Sequence, residues 1–559
     1  MNELSLRLLL TVFCLFACVA LVKAQRLSSG PQVLTFFSDA DDSEQPYALY
    51  IPPNFDENKQ YPLVIMLHGA GSNHRLALRR VFGKSNAPNE NDVEASRIFP
   101  EWKDVDYIVA APYARGTAGY QGIVEKDVYD MLDDLKKRFN IDENRVYLTG
   151  LSMGGGGTLW IGLTRPDIWA AMLPVCPAPP NGAADYAVNA TNIPVHIHHG
   201  AEDPVVKPAD VQQWVADFKK LDVEIEYTEY PGVKHNSWEN AYDNGAVFEY
   251  FDKYTRNLFP DRVRFATLYY KYNTAYWVKF EKINPGTKAE IDAQFKAKNE
   301  LQINSSNLEA FSLKLSGHSM FDPSKSLVLN IDGSKIKISD STGEFNFHKV
   351  NGKWSHGAAP VSQKGKKMQS EGPIYAAFCS RHIYVYGTAD NPSEDELKSR
   401  QTIALQAANW SVYRGEFLGR IKFFPRVLAD KDVRPSDIES SNLILFGTKE
   451  TNRIIYELAD NLPMHLVPAT SDYGLFYVFP HKGKYVAINS GLPWWTSVED
   501  KGRPFVGPEH RVLPVFKDFI LFNKSLSNPI AEGHFDHDWK LLPDDRNKIR
   551  NAGVVDLVD

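Results

Sequence analysis

Gly150-Leu-Ser-Met-Gly-Gly-Gly-Gly157 is the stretch that decides how this sequence folds. It follows Arg145-Val-Tyr-Leu-Thr149, an apolar run rich in β-branched and aromatic residues, and it precedes Thr158-Leu-Trp-Ile-Gly-Leu163, which can continue as a helix. Strand, sharp turn and helix form the setting in which G-x-S-x-G becomes a nucleophile elbow. The turn lifts the Ser152 hydroxyl clear of a sheet. Gly150 and Gly154 leave room for strand and helix to approach. The new helix points unpaired N–H groups and the positive end of its dipole at the reacting centre. A flexible Gly-rich loop is the plainer alternative, and the flanking pattern favours the elbow.

Outward from this point, residues 30–258 alternate strand and helix. Val33–Phe37 and Tyr47–Pro52 read as an opening hairpin. Tyr61-Pro-Leu-Val-Ile-Met-Leu-His68 is a continuous apolar run ending in glycines, as a strand buried on both faces should be. Asp106–Pro112, Trp169–Pro174, Pro194–His199 and Val223–Tyr230 read as further strands. Glu125–Phe139 is amphipathic, with Val128, Met131, Leu132 and Leu135 at helical spacing. Pro208–Leu221 and Ala246–Tyr254 complete the helices. Repeated βα units predict a mostly parallel sheet covered by helices on both faces.

Near Phe259-Pro260-Asp261 the pattern changes to short alternating strands such as Ala275–Phe280, Leu327–Ile331 and Lys335–Ile338. A small β-rich domain is predicted over 259–360. Ser362-Gln-Lys-Gly-Lys-Lys367 reads as a linker or exposed loop. A second α/β region of unknown role follows over 361–559. In it, Arg381–Tyr386, Asn442–Phe446 and Tyr485–Asn489 read as strands. Ser393–Val412 reads as a helix with Ser393 and Glu396 spaced for a capping box.

With 559 residues, two or three cores are expected. The net charge of −7 gives no electrostatic drive toward nucleic acid or an anionic membrane. Arg7, the apolar stretch Leu8–Val22 and a plausible cut after Ala24 predict a signal peptide over residues 1–24, and hence a secreted or periplasmic protein. The alternatives are a membrane anchor, for which about 15 apolar residues is short, and a lipoprotein cut before Cys18. No integral membrane span is expected in the mature chain. Cys176 and Cys379 are the two cysteines left, too few for a disulfide framework, and their pairing is open.

A serine hydroxyl needs a base, and the base needs a group to orient it. On an elbow fold these follow in the order Ser, acid, His. Asp203, in His199-Gly-Ala-Glu-Asp-Pro204, is the candidate acid at the end of a predicted strand, with Glu202 its rival. His235, in Tyr230-Pro-Gly-Val-Lys-His-Asn-Ser-Trp238, is the candidate base. The candidate oxyanion donors are the backbone N–H groups of Met153 and of Ala70, in His68-Gly-Ala-Gly71. Trp160, Trp238 and Trp494-Trp495 could stack on a sugar or aryl group, with Trp238 placed best, beside the base. Gly317-His-Ser-Met-Phe321 resembles half an elbow but lacks the closing glycine and reads as a turn. His196, His198, His199, His534 and His537 fit no familiar metal spacing, so no metal and no cofactor is expected.

These quoted motifs together resemble the α/β-hydrolase superfamily over residues 30–258. Within it they look most like secreted feruloyl or acetyl-xylan esterases and polyhydroxybutyrate depolymerases, with prolyl-oligopeptidase-like hydrolases nearby. The resemblance implies Ser152 as nucleophile, Asp203 as acid, His235 as base and Ala70 and Met153 as oxyanion donors. Leu151 departs from the many relatives with histidine there. The segment after 258 resembles, much more weakly, domains appended to secreted bacterial hydrolases. The resemblance implies a cofactor-free ester hydrolase working through an acyl-enzyme, with acylated polysaccharide as its partner. The short loop Pro177–Asn192, which leaves no room for a large lid, suits a bulky polymer. Two other readings stay open: a serine peptidase on the same fold, and a carbohydrate- or surface-binding protein acting through residues 259–559.

Overall fold

The structure is a computed structural model, and it describes residues 27–339, 342–360, 362, 364–409, 423–468, 470–499 and 508–558. The expected signal peptide, residues 1–24, lies outside the described residues.

β1 (Gly30–Ser38) and β2 (Ser43–Ile51) form the opening hairpin, with Gly30 opposite Ile51 and Ser38 opposite Ser43. There follow β3 (Tyr61–Leu67), α1 (His74–Val81), β4 (Ile108–Pro112), α2 (Ile123–Arg138), β5 (Ile141–Leu151), α3 (Met153–Thr164), β6 (Ala171–Val175), β7 (His196–Gly200), α4 (Pro208–Lys220), β8 (Glu226–Tyr230) and α5 (Ala246–Phe251). The eight strands lie in the order 1-2-4-3-5-6-7-8. Every pairing from β4 across to β8 is parallel.

The central strand shows why the sheet needs cover on both sides. All seven residues of β3 are buried. Successive side chains of a strand point to opposite faces. Leu63, Ile65 and Leu67 join one core with Val128 of α2, Leu159 of α3 and Phe218 of α4. Val64 and Met66 join the other with Leu78 of α1 and Phe251 of α5. Each such side chain contributes about 1.5–3 kcal/mol by leaving water. Polar detail sets the helix ends. The Asn73 side chain accepts the N–H groups of Arg75 and Leu76 at the start of α1, and Lys136, Lys137 and Arg138 sit at the negative end of α2. Parallel strands end on one rim, so the loops after β3, β5, β7 and β8 gather there.

The chain continues into two five-stranded sheets, built from strands between Arg262 and His356, that share one core around Phe265, Phe280, Phe311 and Phe347. Beyond them lies a seven-stranded mixed sheet. His382–Tyr386 pairs in parallel with Arg426–Ala429 and Asn442–Phe446, and Lys484–Gly491 begins the antiparallel half. The fold is therefore an α/β-hydrolase region, a β-rich region and a second α/β region. The helix expected over Ser393–Val412 runs from Glu394 to Ala407, and 410–412 lie outside the described residues. Its Ser393 cap accepts the Glu396 N–H at 3.3 Å. Cys176 and Cys379 are both unpaired thiols. Among the described residues no helix is long and apolar enough to cross a membrane.

Candidate active site

Ser152 sits between the end of β5 and the start of α3 with φ +54° and ψ −117°. Side chains rarely adopt this backbone, and such strain persists only where the surroundings fix it. Here the Ser152 N–H donates to Val175 O at 2.9 Å, while the Gly156 and Ala178 N–H groups donate to Ser152 O at 3.0 and 3.1 Å. Gly154 makes the crossing possible: a Cβ there would lie 2.1 Å from the carbonyl oxygen of Leu67.

Two loops on the same rim meet this serine. His235, five residues past β8, places Nε2 3.0 Å from Ser152 Oγ and Nδ1 2.7 Å from Asp203 Oδ2. Asp203, three residues past β7, is buried, and its Oδ1 accepts the N–H groups of Val205 and Val206 at 2.8 and 3.0 Å. Both carboxylate oxygens are thereby engaged. A carboxylate only accepts, so Nδ1 carries the imidazole proton and Nε2 turns its lone pair to the serine hydroxyl. Glu202, the rival acid, is exposed. The structure brings Ser152, Asp203 and His235 together and leaves Glu202 out.

Met153 opens α3, where an N–H has no partner within its own helix. The loop carrying Ala70 abuts the serine, since a Cβ on Gly69 would lie 3.4 Å from Ser152 Cβ. That loop is anchored by residues the sequence did not single out. His68 sets Nδ1 2.8 Å from Gly69 O and Nε2 2.7 Å from Tyr113 O. Tyr120 donates to His68 O at 3.0 Å, and the Gly71 N–H donates to Thr117 Oγ1 at 2.9 Å. Burial pushes the His68 imidazole below its usual range, against the opposing pull of the two carbonyl oxygens its nitrogens face. No local pattern marks Thr117 or Tyr120, because their partners lie about 50 residues away on another strand end.

Trp238 stands edge-on to His235, with ring centroids 5.7 Å apart at 88°, and packs against the core on the α1 and α5 face. Of the other tryptophans offered as stacking surfaces, Trp160 and Trp494 are core residues and Trp495 is half-buried. Trp160 is buried and donates to Glu125 Oε2 at 3.1 Å, and Trp494 is fully buried against Phe476 at 4.6 Å. Trp495 lies edge-on to Trp494. His196 pairs with Thr228 at 2.8 Å and His198 with Tyr230 at 2.8 Å, whereas His534 faces Asp518 in the second α/β region. The turn at Gly317–Phe321 buries His318, whose Nδ1 accepts the Met320 N–H at 3.0 Å. Cys176 offers a sulfur within 4.8 Å of ligand atoms of Asp203 and His235. Burial pushes its thiol up to about 12, so it stays protonated at neutral pH.

Residues 38–253 match the family model Esterase, described as "Putative esterase". This stretch is an esterase domain of the α/β-hydrolase superfamily. The domain is 24% identical over 216 residues to feruloyl esterase D of Neurospora crassa, covering 37% of this chain and 71% of that protein. It is 27% identical over 177 residues to a bifunctional acetylxylan esterase/xylanase of Neocallimastix patriciarum, covering 31% of this chain and 23% of the other. Among solved structures, a thermostable esterase is similar with 26% identity and a TM-score of 0.32, covering 40% of this chain and 63% of that one. The chain thus spans less than two thirds of the second relative and of the solved esterase. The esterase domain carries serine-hydrolase chemistry on a sheet whose loops converge at Ser152.

Proposed function

We propose that this protein is a secreted serine carboxylic-ester hydrolase that works through an acyl-enzyme on feruloyl or acetyl esters of polysaccharides. One observation carries the reading: His235 bridges Ser152 and Asp203 at 3.0 and 2.7 Å. In this reading residues 25–258 form the catalytic domain, 259–360 a β-rich domain that packs into it, and 361–559 a C-terminal α/β region.

Ser152 Oγ attacks the ester carbonyl while His235 Nε2 takes its proton. The carbonyl oxygen becomes an oxyanion and accepts the N–H groups of Met153 and Ala70. Asp203 keeps Nδ1 protonated and stabilises the imidazolium. The imidazolium then gives its proton to the departing alkoxide, leaving an acyl-serine. Water repeats the sequence and releases the acid. Trp238 forms a wall of the substrate site beside the base. The feruloyl and acetylxylan esterases to which the domain is similar support an acylated polysaccharide as substrate.

Ser152→Ala should abolish hydrolysis of a short aryl ester, and retained turnover would refute the assignment. Comparing acetyl, feruloyl and hydroxybutyryl esters on the purified protein tests the acyl group. The N-terminal sequence of exported protein tests removal of residues 1–24.

A further inference from the structure

A cavity of about 710 Å³ opens beside Ser152 and Asp203 without including them. Its near end is built from the residues that hold the two in place. Ala178, which donates its N–H to Ser152 O, forms part of its lining, as do Val205 and Val206, whose N–H groups hold Asp203. From there it follows α4 as far as Lys220 and Leu221. The helical path from Asp210 to Leu221 is roughly 16 Å long at 1.5 Å per residue. The facing wall comes from Pro177–Asn192, expected as a plain short loop. Its second half, Ala183–Asn192, is instead a 3-10 segment, with Tyr186 and Ala187 buried in the sheet's core.

The lining has a definite chemistry. Val205 is 67% exposed beside the acid, and Leu221 is 36% exposed at the far end. Between them Trp214 is half-buried, resting on Phe218 at 5.7 Å. Gln213, Asp217 and Lys220 also line it, with Gln213 and Lys220 both donating to Asp217 Oδ1 at 2.8 and 2.9 Å. An indole flanked by an amide, a carboxylate and an ammonium offers both a stacking face and hydrogen bonds, which suits a hydroxyl-rich ring. Both signs of charge are present, so the lining favours a neutral ligand over a polyanion or polycation. A path of this length exceeds one acetyl group or one aromatic acid, whereas a polymer runs on along it.

We infer that this groove holds the alcohol side of the ester: an uncharged polysaccharide chain lies along α4 with Trp214 beneath one sugar ring, delivering its acyl group to Ser152. The inference rests on Ser152 as nucleophile and adds the residue that sets chain-length preference. Trp214 lies within an ordinary amphipathic helix pattern, and no local signal marks it.

Two measurements separate the groove from the chemistry. The first is hydrolysis of a short aryl acetate and of acetylated xylan fragments of increasing length by the full chain and by Trp214→Ala. The full chain should show a KM that falls with fragment length. Trp214→Ala should raise KM for long fragments by about tenfold, worth about 1.4 kcal/mol, and leave the aryl acetate unchanged. Trp214→Phe should recover most of the loss. The second is binding of unacylated xylan fragments to Ser152→Ala, which Trp214→Ala in the same protein should weaken. Aryl acetate hydrolysis with no length dependence and no fragment binding would overturn the groove and leave the esterase reading standing. Fragment binding that depends on Trp214, without hydrolysis of any ester, would keep the groove and overturn the esterase reading. An equal loss on long fragments and aryl acetate would mark Trp214 as merely structural and overturn the inference.

Discussion

Tyr272 donates a 2.7 Å hydrogen bond to Glu125, tying the β-rich region to the interior of the esterase domain. The same Glu125 oxygen accepts the Trp160 indole N–H at 3.1 Å, and Lys271 pairs with the other oxygen at 3.0 Å. Trp160 lies on α3, the helix that begins immediately after Ser152. Glu125 is 1% exposed, and Tyr272 belongs to the same hydrophobic core as Trp160 and Tyr186. Asn189 adds a second buried tie, exchanging hydrogen bonds of 3.0 and 2.7 Å with the Ala266 backbone. The esterase domain therefore completes its core with residues from beyond 258. Tyr272→Phe should cost about 1.5–3 kcal/mol, the range for a hydrogen bond to a charged group, read as a lower urea midpoint. Residues 25–258 expressed alone should melt below the full chain.

Gly154→Ala tests the elbow itself. A methyl group 2.1 Å from Leu67 O cannot be accommodated while α3 stays against β3. Overpacking of this kind costs about 1–3 kcal/mol, so the variant should melt earlier. It should also lose turnover out of proportion to its folded fraction, because α3 carries Met153 beside Ser152. Unchanged kinetics would show that the elbow tolerates the shift.

Asp203→Asn should leave the fold intact and lower kcat by about 10³–10⁴. An asparagine can donate to Nδ1 and so favour the tautomer whose Nε2 carries the proton, leaving Ser152 without a base. The full chain should also lose activity toward acid pH, because an imidazolium cannot accept the Ser152 proton. A flat profile down to about pH 4 would contradict His235 as base.

Acid should also weaken the fold, by a separate route. Burial pushes His74 and His198 down from 6.5 to about 3. Below about pH 6.5 the unfolded chain binds protons at these positions that the folded chain refuses. Their contribution is complete above the unfolded value and is lost progressively as pH falls toward about 3. The melting temperature should therefore drop between about pH 7 and 5, and His198→Gln should flatten that slope. Initial rates on folded enzyme separate this loss from titration of the base.

The sequence alone determined the parts governed by local rules. Tyr61–Leu67 is apolar throughout because both faces of β3 are covered. Gly150, Gly154, Gly155 and Gly156 announce a turn because a Cβ at any of them would lie 1.9–2.4 Å from a backbone oxygen. Asp203 and His235 were legible because each follows a strand in a fixed chain order. Tertiary structure decided what depends on distance through space. It chose Asp203 over Glu202 by burying one carboxylate against two backbone N–H groups and turning the other to solvent. It withdrew Trp160 and Trp494 into cores, and it set Trp214 and a 3-10 segment on facing walls of one groove. It also joined Glu125 to Tyr272, since a buried carboxylate must find donors and two of its three, Tyr272 and Lys271, come from a segment about 150 residues further along the chain. Periodicity shows which side of an element faces inward; which residue it meets there depends on how separate elements assemble.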